Sequence, residues 1–119
     1  MERFDHYQHE VQRTGSAVPD GDESRFAKEL SLCGMGLAGE AGEVCDTLKK
    51  VVHHGRALDR AKVVEEMGDV LWYLAHLANV LGVTLDDVAQ ANIVKLRKRY
   101  PNGFTTADSI ARRDEEPAR

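Results

Sequence analysis

Two pairs of acids set the chemistry this chain can attempt: Glu40 and Glu43 in GLAGEAGEVCDTLKK, and Glu66 and Asp69 in EEMGDVLWY. Residues three apart on a helix lie on one face about a turn apart, so each pair forms a fork of carboxylates. Both forks sit inside apolar helical patterns, where a carboxylate is costly unless a cation or hydrogen bonds compensate it. An antiparallel hairpin can place the forks opposite each other as a metal cage. Four oxygen ligands without His or Cys favour a hard cation, Mg²⁺ or Mn²⁺, which binds few carboxylates and keeps waters for substrate phosphates. Zinc and iron are disfavoured. The Glu-x-x-His of di-iron bundles is absent, because Glu40, Glu43 and Glu66 are followed three residues later by Glu43, Asp46 and Asp69. One ExxE alone is a weak signal, since glutamate is a good helix former and solvated faces carry many such pairs; the second pair in the next helix moves the reading. Glu65 also shares a face with Asp69, so we take Glu66 as the ligand and Glu65 as a residue supporting it.

Other residues lie on or near these faces. Lys50 follows Glu43 by two turns, so its ammonium is placed either to reach the phosphates of a metal-bound substrate or simply to pair at the surface beside Lys49. Asn92 falls in the middle of an apolar stripe, where an amide needs partners, and Lys95 and Arg99 lie along one edge of it. These read as substrate contacts; a buried structural Asn and a basic helix end that complements the helix dipole are the alternatives. Tyr73, a turn after Asp69, or Trp72 offers a ring for a base, with core packing the favoured role for Trp72. His76 reads as a hydrogen-bonded packing residue and stays outside the site.

The elements that must position these residues are helices. Phe4, Tyr7 and Val11 give a short amphipathic helix over residues 2–14, and Gly15 to Asp22, with two Gly and Pro19, reads as a flap over a pocket or as a plain loop. A second helix starts near Asp22 or Ser24, turns Phe26, Leu30, Leu37, Val44, Leu48 and Val51 inward, and ends at His54-Gly55. Its four glycines, Gly34, Gly36, Gly39 and Gly42, each cost about 0.5 to 1 kcal/mol relative to alanine. They imply a break near Cys33 to Gly36 or, as we favour, close packing of a neighbouring helix. A third helix runs from about Asp59 to Leu81, with Gly82 as its stop. A fourth opens at Thr84-Leu85-Asp86-Asp87, turns Leu85, Val88, Ala89 and Leu96 inward, and stops at Tyr100-Pro101. No strand pattern or repeat emerges, so the fold class is all-α. Residues 1–104 read as one domain, and the polar segment 105–119 as a disordered tail.

Composition narrows the partners. A formal charge of −4 and a pI near 5.7 argue against binding a nucleic-acid polymer, which needs many cationic contacts to phosphates. Cys33 and Cys45 lack a CxxC companion and read as reduced, intracellular thiols. With no apolar leader and no long uncharged span, no membrane partner is expected and the location is cytoplasmic. The hairpin carries more Leu, Val and Ala than two short flanking helices can cover, which predicts a homo-oligomer with a large apolar interface.

The segments GLAGEAGEVCDTLKKVVHHG, EEMGDVLWYLAHLANVLGVTLDDV and NIVKLRKRYPNGF together resemble the MazG-like all-α nucleoside triphosphate pyrophosphohydrolases, whose mark is ExxE followed by a later ExxD. The resemblance covers roughly residues 30 to 104, with a fainter echo in Tyr7-Gln8 and Thr14. It implies a four-helix bundle assembled through an oligomer, a homodimer or homotetramer, with Glu40, Glu43, Glu66 and Asp69 as Mg²⁺ ligands. It also implies cleavage of a nucleotide between its α and β phosphates. Asn92 and Lys95 match the family's NxxKL element, and Lys50 the lysine after the first fork. Members prefer dUTP, dCTP or noncanonical nucleotides, and a related branch acts on phosphoribosyl-ATP; no residue here selects the base. Divalent ions in two facing forks suit that reaction, with one of the four acids or Glu65 taking a proton from the attacking water. A non-catalytic helical interaction module with a regulatory metal site is the alternative.

Overall fold

In a computed structural model, which describes residues 2–115, five α-helices follow one another among the described residues. They are α1 (Glu2–Val11), α2 (Glu23–His53), α3 (Arg60–Leu81), α4 (Leu85–Arg99) and α5 (Thr106–Ala111), followed by a 3-10 turn at Arg113–Glu115. No strand and no helix long and apolar enough to cross a membrane occur among these residues.

The ends obey local chemistry. Asp22 caps α2 by accepting from the Arg25 amide, and Asp59 caps α3 by accepting from Lys62, each satisfying a donor that the first turn leaves free. Gly82 ends α3 at φ 70, a left-handed conformation that glycine adopts without a Cβ penalty. The glycines of α2 produce no break: the helix is continuous for 31 residues. Close packing explains Gly36, where a Cβ would overlap the ring of Tyr73 from α3; Gly34, Gly39 and Gly42 meet nothing within 4 Å.

The chain forms two compact units, one up to Leu85 and the other from Asp86 on. In the first, α2 and α3 pair as a hairpin, and α1 lies on α3. Val11, Ala75, Ala78 and Leu85 form a small core against which Phe4, Tyr7 and Trp72 pack. Buried Gln8 ties α1 to the connection that follows α3. Its Nε2 donates to the Val83 carbonyl at 2.7 Å, and its Oε1 accepts from the Leu85 amide at 2.9 Å. The first helix stops at Val11, three residues short of expectation, where the chain tightens into a turn closed by Thr14 and Gly15 amides on the Val11 carbonyl. Much of the predicted inward face of α2 is uncovered in the single chain: Phe26, Leu30 and Leu48 are exposed, as are Met35 on α2 and Met67, Leu74 and Leu81 on α3.

In the second unit two expectations change. Val88 and Leu96, expected to point inward, are exposed; Leu85, the buried residue of that stripe, belongs to the core of the first unit. A stripe is buried only where another face covers it. The tail is also not featureless. Thr105 caps α5 by accepting from the Asp108 amide, and Arg99 holds the Asp114 carboxylate through both Nε and a terminal nitrogen, the latter at 2.8 Å. A cap and a bidentate ion pair order a polar segment that hydropathy alone reads as disordered. Residues 116–119 of the expected tail lie outside the described residues.

Candidate functional site

On α2 the residues Glu29, Cys33, Gly36, Glu40, Glu43, Thr47 and Lys50 follow one another in alternating steps of four and three, which keeps them on one face. On α3 the residues Glu66, Asp69, Tyr73 and His76 do the same. Three contacts join the two stripes: Thr47 with Glu66, Gly36 with Tyr73, and Glu29 with His76. As the α2 number falls the α3 number rises, so the helices run antiparallel. Glu40 and Glu43 therefore lie on α2 between the Gly36 and Thr47 contacts, and Asp69 lies on α3 between Glu66 and Tyr73. All four acids belong to one stretch of the same seam.

They differ in environment. Glu66 is 7% exposed; its Oε1 accepts from the Thr47 hydroxyl at 2.8 Å, while its Oε2 is buried without a hydrogen-bond partner. An unpaired buried carboxylate oxygen is expensive, and it is the kind of atom a cation satisfies. Glu65 points to solvent with 70% of its side chain exposed, 3.8 Å from Lys62. The register thus separates the two glutamates that spacing left together. Glu40 is half-buried, and Glu43 and Asp69 are exposed. Burial, and then the charge of Asp69, push the Tyr7 phenol up. Among the described residues no three His, Cys, Asp or Glu side chains gather closely enough to hold a metal ion. The oxygen-only donor set and the orphaned Glu66 oxygen nevertheless fit a hard divalent cation.

The expected substrate contacts are spread out. Lys50 continues the α2 stripe but pairs with Asp46 at 2.7 Å. Hydrogen bonds from Lys50 and then Lys49 hold the Asp46 carboxyl down at about 2. Tyr73 is half-buried over Gly36 and edge-on to Trp72. Asn92 and Lys95, one turn apart on α4, are both exposed, so Asn92 is not the buried amide that the stripe suggested.

His76, which reads as a hydrogen-bonded packing residue, takes that role on this seam through Glu29, a residue that no spacing singled out. His76, 3% exposed, lies with Nε2 2.9 Å from Oε2 of Glu29, whose other oxygen is 3.1 Å from Arg25. The His76 hydrogen bond holds the Glu29 carboxyl below its usual range. A carboxylate only accepts, so Nε2 of His76 carries the proton. Trp72 stacks on the His76 ring and donates its indole N–H to Thr14 at 2.8 Å, which is the packing role expected of it. The loop from Gly15 to Asp22 does line a cavity, of about 690 Å³, together with Phe26, His76 and Asn79. None of the four acids borders it. Space alone is not chemistry, and the buried unpaired oxygen keeps the seam around Glu66 as the candidate centre.

A family profile, the MazG nucleotide pyrophosphohydrolase domain, matches residues 28–104. This chain belongs to the MazG family. The matched span contains both forks, the hairpin except the first turn of α2, and Asn92 to Phe104. The MazG chain is also similar to the gene 37 protein of Mycobacterium phage L5, 38% identical over 89 residues that cover 71% of this chain and 78% of that protein. It is 47% identical over 45 residues to the uncharacterized protein YvdC of Bacillus subtilis, a match covering 38% of this chain and 42% of YvdC. No solved structure matches.

Proposed function

We propose that this MazG protein is a Mg²⁺-dependent nucleoside triphosphate pyrophosphohydrolase that adds water across the α–β phosphate bridge. The products are a nucleoside monophosphate and pyrophosphate, and the role is removal of unwanted nucleotides from the cytoplasmic pool. The observation that carries this reading is the buried, unpaired Oε2 of Glu66 on the stretch of seam that also bears Glu40, Glu43 and Asp69. Family membership supports the same reaction class.

In this reading Glu40, Glu43, Glu66 and Asp69 hold the cation, with Mn²⁺ as a substitute. The ion supplies positive charge against the triphosphate and acidifies the attacking water. The chain does the rest. Two forks on rigid helices orient the phosphate chain for in-line displacement, and a carboxylate of the seam accepts the proton that water loses. Lys50, on the same face as Glu43, exchanges its Asp46 contact for a phosphate oxygen. Tyr73 borders the forks on α3. Asn92 and Lys95 offer an amide and an ammonium to the nucleotide. The protein works as a homodimer or homotetramer, because the apolar side chains left exposed on α2, α3 and α4 need a covering face.

The test is a panel of NTPs and dNTPs with Mg²⁺, read by pyrophosphate release and product identity. Pyrophosphate and the monophosphate are expected, with turnover lost in Glu66→Gln. Orthophosphate release contradicts the reaction. Metal binding with no turnover of any nucleotide points instead to a helical interaction module with a regulatory metal.

A further inference from the structure

We infer that Thr47 is a positioning residue, which fixes the Glu66 carboxylate so that Oε2 is the oxygen presented to a divalent cation. The inference rests on the proposed metal-dependent reaction and adds to it a residue outside the four acids. Three observations carry it. Thr47 lies four residues after Glu43 and seven after Glu40, on the face that bears both carboxylates. Its hydroxyl donates to Oε1 of Glu66 at 2.8 Å, crossing from α2 to α3. The Glu66 side chain is more than nine-tenths buried, and its second oxygen has no partner.

A glutamate has three side-chain torsions, and a hydrogen bond to one carboxylate oxygen fixes the plane of the group and with it the position of the other oxygen. A hydroxyl donor to a carboxylate is a charge-assisted bond, stronger than its neutral counterpart, and here it occupies Oε1 and leaves Oε2 to be satisfied by something else. Hydrogen bonds to metal-ligating carboxylates orient them, and their removal typically weakens metal affinity by roughly 10- to 100-fold. Threonine suits the position because its β-branched side chain has few rotamers.

The experiment compares the full-length parent with Thr47→Val, which keeps the shape and removes the donor, and Thr47→Ser, which keeps the donor. Mn²⁺ affinity is read without nucleotide, by the loss of the free-ion electron paramagnetic resonance signal on titration. The Mg²⁺ dependence of pyrophosphate release is read separately. Thr47→Val is expected to bind Mn²⁺ at least about tenfold more weakly and to need correspondingly more Mg²⁺, while Thr47→Ser stays close to the parent. A general packing defect would weaken both variants in proportion to their loss of melting temperature, and that pattern overturns the inference. So does Thr47→Val binding Mn²⁺ as the parent does, in which case the proposed reaction still stands if the parent releases pyrophosphate. A parent that neither binds Mn²⁺ nor releases pyrophosphate removes the proposed function and this inference together.

Discussion

Glu29 and His76 stand 47 residues apart in the chain and meet in the interior, Oε2 to Nε2 at 2.9 Å, with both side chains at most 5% exposed. Their contact pins α2 to α3 at the opposite end of the seam from Thr47 and Glu66. It converts a chain-length separation into a fixed register.

This pair makes stability depend on acid. The folded Glu29 carboxyl titrates below its ordinary value of 4.5, chiefly through the His76 hydrogen bond. A depressed folded value means that the contribution is present above about pH 4.5 and is lost as pH falls through the folded value. Thermal melts between pH 3 and 7 should show this loss in the parent, and Glu29→Gln should lack that component. At neutral pH, Glu29→Ala should cost roughly 3 kcal/mol, as for one partner of a buried pair. Parallel acid profiles for parent and Glu29→Gln would reject the pair as an acid-sensitive tie.

Gly36 and Tyr73 give a packing test. Adding a methyl at Gly36 should cost roughly 1–3 kcal/mol by overpacking against the Tyr73 ring, whereas Gly34→Ala, which meets nothing within 4 Å, should gain about 0.5–1 kcal/mol from helix propensity. Tyr73→Leu should relieve part of the Gly36→Ala penalty, giving a non-additive double-mutant cycle in urea unfolding. Additive effects would mean that the two residues do not press on each other.

The Glu66 oxygen predicts how the protein answers metal. Mg²⁺ binding to the folded state should stabilise the parent by about 2.7 kcal/mol when free metal is a hundredfold above its dissociation constant. Glu66→Gln removes the buried charge, so in EDTA it should melt at or above the parent, and it should respond far less to Mg²⁺. Equal responses of the two proteins, or a variant that melts well below the parent in EDTA, would exclude Glu66 as a strained ligand.

The exposed apolar side chains predict association. Leu48, Val52, Val64 and Met67 are 42%, 73%, 66% and 56% exposed in the single chain, and covering them with a second copy would take that apolar surface out of water. Light scattering at micromolar concentration should give a multiple of the 13.2 kDa chain mass. A mass of one chain would count decisively against the oligomer.

The helices were legible in the sequence because a helix is closed by bonds between near neighbours. Asp22, Asp59 and Gly82 cap or stop α2 and α3 through groups a few residues away, and the three-residue spacing of Glu40 with Glu43 and of Glu66 with Asp69 fixes each fork by the same local geometry. Within the polar segment after Phe104, the Thr105 cap of α5 and the ion pair between Arg99 and Asp114 are contacts that hydropathy does not register. Which groups met across the seam was also beyond local geometry. Glu65 and Glu66 are equivalent to any spacing rule, and only the packing of α2 on α3 buries one, leaves the other in solvent, and brings Thr47 to the buried one. His76 and Glu29 likewise carry no shared signal until the hairpin closes, because a contact between helices depends on their rotation and register, and no run of neighbouring residues encodes either.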